Sequence, residues 1–189
     1  MLRQTLAGTS LALAAAMPAW AAAENFDLDA QHTYPSFEIM HLGFSEMRGS
    51  FFSTSGSMVY DQEKRIGSVA VTIDAASIAT GFAKRDEHLR SKDFFNVEKY
   101  PMLSYRSDTF ELDPDKAVPV TGTLTMLGVS KPVTLDVRPT RCGQRMDHNY
   151  VCGALVSGTI KRSDWGLNAF VPYVGDDVKL HIEVEAIRK

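Results

Sequence analysis

From Val178 to Ala186 every second residue is apolar: Val178, Leu180, Ile182, Val184 and Ala186 share one face of an extended chain, and Lys179, His181, Glu183 and Glu185 share the other. A helix cannot sort residues this way, because its side chains recur about every 3.6 positions rather than every two. The same rhythm runs through Val69, Val71 and Ile73, through Val133, Leu135 and Val137, and through Val118, Val120, Gly122, Leu124 and Met126. Residues 25–30, 34–42, 47–60, 101–112 and 150–161 are further strand candidates, and Asp113-Pro114-Asp115 and Gly175-Asp176-Asp177 carry turn chemistry between runs. Many strands with one apolar face each need a shared interior. An all-β chain folded as an antiparallel eight-stranded barrel supplies it and leaves no open edge. A two-sheet sandwich would also supply it.

One segment breaks the rhythm. Residues 80–91 are rich in charge and helix formers, with Thr80 placed to cap and with Phe82, Arg85, Asp86 and Leu89 on one face at helical spacing. Asp86 and Arg90 are spaced to pair along that helix. The expectation is a short helix that, with Phe94-Phe95 after it, caps one end of the barrel.

Residues 1–23 are a different kind of sequence. Arg3 is the only charge, the middle is Ala- and Leu-rich, and the run ends Ala19-Trp20-Ala21-Ala22-Ala23 before Glu24. Those are the parts of a cleaved signal peptide, with cleavage after Ala21 or Ala23. A membrane anchor is the rival, but Leu, Ile, Val and Phe are sparse in its core. The expected product is therefore one exported, periplasmic domain over residues 24–189. An oxidising compartment makes a Cys142–Cys152 disulfide the expectation, on neighbouring strands joined by a loop, with a stabilisation of about 2–3 kcal/mol. Two separate buried thiols are the alternative; a zinc site does not suit the spacing.

Familiar chemical motifs are absent. There is no Gly-rich phosphate loop, no HExxH, no EF-hand loop and no GxSxG. His32, His41, His88, His148 and His181 do not sit at metal-ligand spacing, so neither a metal nor a cofactor is implied. A formal charge of −3 offers no electrostatic footprint for nucleic acid. What stands out is the supply of large, pliable apolar side chains, among them Phe37, Phe51, Phe94, Tyr105, Met126 and Trp165. A filled core is the plain reading. An eight-stranded barrel, however, lies near the size at which the interior either just fills or holds one small ligand.

Several motifs together resemble the YceI-like polyisoprenoid-binding proteins, exported bacterial proteins with a lipocalin-like barrel. The resemblance runs from about Phe26 to Ile187. It is carried by Asp29-Ala30-Gln31-His32-Thr33, by His41-Leu42-Gly43, by Gly49-Ser50-Phe51 and by the stretch from Arg85 to Pro101. It continues in Gly122–Val133 and in Lys161-Arg162-Ser163-Asp164-Trp165-Gly166-Leu167. Tyr34-Pro35 and the cysteine pair depart from the family pattern, the latter as a local staple on one hairpin.

The resemblance implies an apolar tunnel holding a long-chain isoprenoid, a quinone-like molecule or another amphiphilic lipid, and no catalysis. Its walls are expected to come from Phe37, Ile39, Phe51, Val69, Val71, Ile73, Leu103, Tyr105, Leu124, Leu135 and Trp165. Phe82, Leu89 and Phe94 would close one end, and His41, Arg85 and His88 would stand near a headgroup. Arg85 and Asp86 read equally well as a structural ion pair. Transient contact with a membrane surface is compatible with such a cargo; the oligomeric state is open, a dimer included. Two rivals stand beside this reading: an enzyme acting on an amphiphile in the pocket, and a solid-core interaction module.

Overall fold

The computed structural model describes residues 23–189, so the expected leader lies, but for Ala23, outside the described residues. The strands are β1 (Glu24–Leu28), β2 (Tyr34–His41), β3 (Ser45–Phe51), β4 (Thr54–Asp61), β5 (Ile66–Asp74) and β6 (Ile78–Ala79), followed by helix α1 (Ala83–Arg90). Then come β7 (Met102–Ser107), β8 (Phe110–Glu111), β9 (Val118–Met126), β10 (Val129–Gln144), β11 (Tyr150–Lys161) and β12 (Val174–Arg188). Every pairing is antiparallel.

The ring runs β1-β4-β5-β7-β9-β10-β11-β12 and closes where β12 meets β1 again, an eight-stranded barrel as expected. β12 is long enough to be shared. Its C-terminal residues pair with β1, Phe26 opposite Arg188, while its earlier part pairs with β2, Leu180 opposite Phe37. β2 then pairs with β3, and β3 with β6. One end of the barrel is thus closed by β1, the other by the β2–β3 hairpin, β6 and α1.

Local sequence explains these joints. The β2–β3 and β9–β10 hairpins both turn on Leu-Gly. Leu42 and Gly43 have φ of 53° and 74°, Leu127 and Gly128 have 52° and 75°, the doubly left-handed turn that matches strand twist. Inside the wall, a Cβ at Gly122 would stand 2.6 Å from the Tyr105 ring, so only glycine lets that ring lie flat across the neighbouring strand.

Some boundaries differ from expectation. The candidate over 47–60 is two strands broken at Phe52-Ser53: Phe51 is buried, and the turn lets adjacent Phe52 face outward. The candidate over 101–112 breaks likewise between β7 and β8. Thr80 does not cap the helix. Phe82 holds the N-cap position, and Thr80 instead gives both its N–H and its hydroxyl to Asp86 Oδ1. Asp86 is thereby committed, and Arg90 donates to the Ile78 carbonyl rather than pairing with it.

Cys142 and Cys152 face each other across β10 and β11 and form the expected disulfide, with Cα atoms 4.0 Å apart. The packed interior has two parts. Phe51, Ile73, Ile78, Leu103, Trp165 and Leu167 form one cluster under α1; Phe26, Leu28, Tyr60, Leu112, Cys152 and Ala186 form another beside β1 and the disulfide.

Candidate functional site: the barrel cavity

Between the two clusters the barrel is not filled. A cavity of about 440 Å³ runs from residues under α1 to Leu28, Phe110 and Leu112 near the β1 end. That volume lies in the range of small-ligand sites, roughly 300–1,000 Å³. The wall follows from the alternation: Val69, Val71 and Ile73 of β5, Leu124 and Met126 of β9, Leu135 and Val137 of β10, and Val178, Leu180, Ile182 and Val184 of β12 all point inward. Their polar neighbours Lys179, His181 and Glu183 are exposed.

Most residues proposed from sequence meet at this cavity. Phe37, Ile39, Phe51, Val69, Val71, Ile73, Leu103, Tyr105, Leu124, Leu135, Leu89 and Phe94 line it, as do the polar His41, Arg85 and His88. Two lie elsewhere. Phe82 is 56% exposed, because it precedes the first helical turn with extended backbone and the helical spacing does not apply to it. Trp165 sits in a 3₁₀ turn, Arg162–Trp165, buried in the cluster with Phe51 and Leu103 but not lining the cavity, and its indole N–H donates to the Leu124 carbonyl at 3.1 Å. Sequence reasoning passed over Phe95, Met47, Val156, Ile160, Phe170 and Arg162 as lining residues. The alternation of β11 could have found Val156 and Ile160; nothing local marks Phe170, which a loop brings in.

The wall is chemically lopsided. Among the described residues Tyr105 is its one phenol. Burial pushes that phenol up to about 12, so it stays protonated, with the hydroxyl 3.4 Å from the Val120 carbonyl. The charged and ionisable groups Arg48, Arg85, Arg162, His41 and His88 all belong to the α1 end. Here the wall reaches solvent: Phe170 is 57% exposed, whereas Leu28 and Leu112 at the far end are buried. The mouth therefore opens beside α1.

Arg162 builds this mouth. Although buried, its guanidinium has no carboxylate in ion-pair contact among the described residues. It donates to the backbone carbonyls of Gly175 (2.7 Å), Leu167 (2.6 Å), Ala169 (2.8 Å) and Val174 (3.0 Å). Burial lowers its pKa, with Asp176 nearby acting the other way. Those bonds shape the loop between β11 and β12, so that Phe170 stacks on Phe94 (6.1 Å between centroids) and meets the edge of His88. His88 in turn packs on Phe94 at 5.0 Å. Val174 sits opposite His41, which places that imidazole on the same rim.

At the opposite end a titratable group resembles a metal site: Asp29, His32 and Glu185 converge. The space among them is taken by Arg145, whose Nη1 lies 2.8 Å from both Asp29 and Glu185. The group is an ion-pair network tying the β10–β11 hairpin to β12 and to the β1–β2 connection.

Comparisons with known proteins agree with this architecture. Residues 26–186 match the YceI-like domain. UPF0312 proteins of Pectobacterium atrosepticum and Pseudomonas aeruginosa are each 38% identical over 192 aligned residues, covering all of both chains. The crystal structure of a Campylobacter jejuni YceI protein is 34% identical, covers 79% of this chain and 90% of its own, and superposes with a TM-score of 0.72. Burkholderia cenocepacia BcnA shares the fold at 24% identity and a TM-score of 0.74, covering 84% of this chain and 98% of its own. A polyisoprenoid-binding domain from Saccharophagus degradans does so at 18% identity and 0.64, covering 87% and 98%. With the match spanning the barrel from β1 to β12, this chain belongs to the YceI-like family.

Proposed function

We propose that this protein binds and carries a long-chain isoprenoid or a similar amphiphilic lipid, such as a quinone or its precursor, inside the barrel. The observation that carries the reading is the unfilled, almost wholly apolar cavity with its mouth beside α1. The resemblance in fold to a polyisoprenoid-binding domain supports it. The proposed wall is Phe37, Ile39, Phe51, Val69, Val71, Ile73, Leu89, Phe94, Leu103, Tyr105, Leu124 and Leu135, with His41, Arg85 and His88 at the headgroup.

A prenyl tail of ~40 carbons left in water would cost tens of kcal/mol, at about 0.8 kcal/mol per buried CH₂. A bilayer removes the same cost. The protein therefore competes with lipid, and a net advantage of a few kcal/mol at most suits a carrier that must also release. Loading then needs contact with a membrane surface. Leu42 (48% exposed), Phe44 (88%), Phe170 (57%) and Tyr173 (71%) surround the mouth as an apolar rim fit for that contact. Among the described residues no helix is long and apolar enough to cross a membrane. Export by a cleaved leader over residues 1–23 to the periplasm completes the reading, consistent with the disulfide.

Among the described residues the wall carries no Asp or Glu, and its two histidines, His41 and His88, stand at the mouth, so the apolar length of the cavity suits holding a tail. The test is organic extraction of protein purified from its native host, followed by mass spectrometry. A stoichiometric prenyl or long-acyl species is expected, and its absence from repeated preparations would end the carrier reading. Edman sequencing of the same protein should begin at Ala22 or Glu24.

A further inference from the structure

A second cavity, of about 240 Å³, lies at the disulfide end of the barrel. Its polar rim comes from Tyr60, Arg65 and Arg141, and both cysteines belong to its wall. Met58, Leu112, Ala154 and Val184 line this space and the main cavity alike, and so stand between the two. The carrier reading makes no use of it.

The strand ladder is interrupted to build this hollow. Pro139 pairs with Ala154 and Cys142 with Cys152, so Thr140 and Arg141 together stand opposite the single Gly153. Such a bulge re-aims the side chains around it. In an unbroken register Arg141, not Cys142, would stand opposite Cys152, and no disulfide could form. The extra residue gives Cys142 that place and leaves Arg141 exposed at the rim. Gly153 makes room for the bulge, since a Cβ there would lie 2.6 Å from Thr140 Oγ1.

The polar groups here are unequally engaged. Gln62 is spent: it accepts from the Tyr150 hydroxyl at 2.8 Å and donates to Glu24. Asp61 holds Lys64 at 2.8 Å and does not line the hollow. Tyr60 differs. It is only 7% exposed, yet among the described residues its hydroxyl has no hydrogen-bond partner. Burial pushes that phenol up, with Arg65 near enough to act the other way and Asp61 adding to the rise. It therefore stays protonated at neutral pH, a donor without an acceptor. Among the described residues neither Arg65 nor Arg141 has a partner for its guanidinium, and no carboxylate lines this cavity. Buried polar groups are ordinarily bonded, and guanidinium groups take carboxylates through parallel N–H donors.

We propose that this hollow is a second binding site, for a compact organic carboxylate. The apolar body rests on Met58, Leu112 and the disulfide, and the carboxylate accepts from Arg65, Arg141 and the Tyr60 hydroxyl. The hollow is smaller than the roughly 300–1,000 Å³ of drug-sized sites, so it admits a ring or a short chain and not a long tail. The site is independent of the carrier reading, because a different cavity and different residues form it.

The test is a titration of isotopically labelled protein with hydrocinnamate and with hydrocinnamyl alcohol, its neutral counterpart, followed residue by residue in proton–nitrogen NMR spectra. Hydrocinnamate should shift the amides of residues 60–65 and 140–143 and bind there about tenfold more tightly than the alcohol, the worth of one charge-assisted bond at a partly solvated rim. Arg65→Gln and Arg141→Gln should each weaken the acid severalfold and together remove its advantage. Tyr60→Phe should weaken it by a smaller factor. Acetate at the same concentration should leave those amides in place. An equal response to acetate would mean that the arginines take any anion without the apolar floor, and would overturn the proposal. Equal affinity for acid and alcohol, or shifts confined to the α1 end, would overturn it too and leave the carrier reading untouched. Arg141 is exposed on the bulge, so Arg141→Gln carries the test if Arg65→Gln fails to fold.

Discussion

The two ends of this barrel are built from opposite materials. At the β1 end the chain is stapled: a disulfide joins β10 to β11, β1 closes the ring, and Arg145 gathers Asp29, Asp147 and Glu185 into one network. At the α1 end the closure is a hairpin, a two-residue strand, an eight-residue helix and a loop held by one buried arginine. The first end is covalent and ionic on its outside and apolar within. The second exposes aromatic side chains and turns its cations toward the cavity. A container needs this division. The closed end fixes the wall, and the open end must admit a guest without the barrel coming apart.

The largest effect should come from filling the space between the ends. Val71 lies on β5 midway along the wall and touches both apolar clusters. Val71→Trp should abolish ligand recovery, by tenfold or more in extracted lipid, and leave the thermal midpoint within a few degrees of the parent. A solid interior would respond in the reverse order, losing about 1–3 kcal/mol from overpacking. A variant that unfolds would therefore count against a usable cavity.

The next prediction separates the ends by stability. Arg162→Met removes the donors to four backbone carbonyls, and an unsatisfied buried carbonyl costs about 1–3 kcal/mol. Because the loop can partly open to water, a net loss of about 3 kcal/mol is expected, roughly 6–12 °C in the melting midpoint for a domain of this size. Hydrogen exchange should speed up in residues 166–175 and in α1 while β1 and the β10–β11 tip stay protected. Uniform loss of protection would mean that the two ends do not behave as separate units.

Reducing the disulfide, or replacing it with Cys142→Ser and Cys152→Ser together, acts from the other side. The bridge spans ten residues, and releasing so short a loop costs about 2–3 kcal/mol. Exchange should rise at the β10–β11 tip, and ligand affinity should change less than twofold, because the cysteines lie beyond the main cavity. A large drop in affinity would show that the stapled end also helps to hold the tail.

How much of this was legible beforehand follows the period of the pattern. Where strands alternate strictly, as in β5 and β12, the inward residues follow directly, and they line the cavity. Where function depends on loops, spacing says little. Phe82 shares helical spacing with Arg85 but is not yet in the helix. Trp165 belongs to a motif that resembles the family's, yet its turn packs it into the α1-end cluster and not onto the cavity surface. Arg162, one turn away in that motif, is the residue that shapes the mouth; no local pattern reveals a side chain whose partners are carbonyls up to 13 positions along the chain. The void itself is beyond any single-sequence argument, since packing two apolar clusters apart or together uses the same residue types.

The smallest effect concerns acid. Burial alone would raise Asp29, but hydrogen bonds from Arg145, His32 and the Gln31 N–H hold it below the ordinary carboxylate range. Asp147, bonded first to Arg145 and then to Asn149, is lowered as well. A carboxylate whose pKa is depressed by folding adds stability above its unfolded value, near pH 4, and loses it as pH falls through the lower folded value. The contribution of this network is therefore complete at neutral pH and fades only below about pH 4. Asp29→Asn should flatten the fall in melting midpoint between neutral pH and about pH 2.5 by a few degrees. Asp176 at the mouth is also lowered, by its bonds to Ser163, so the wild-type acid response contains both ends. Comparing Asp29→Asn with Asp176→Asn by hydrogen exchange apportions it. Asp29→Asn should remove the acid sensitivity of the β10–β11 tip and leave that of the loop between β11 and β12 intact. If Asp29→Asn instead steadied the mouth, the network would be coupled along the whole of β12, and the separation of the two ends would fail.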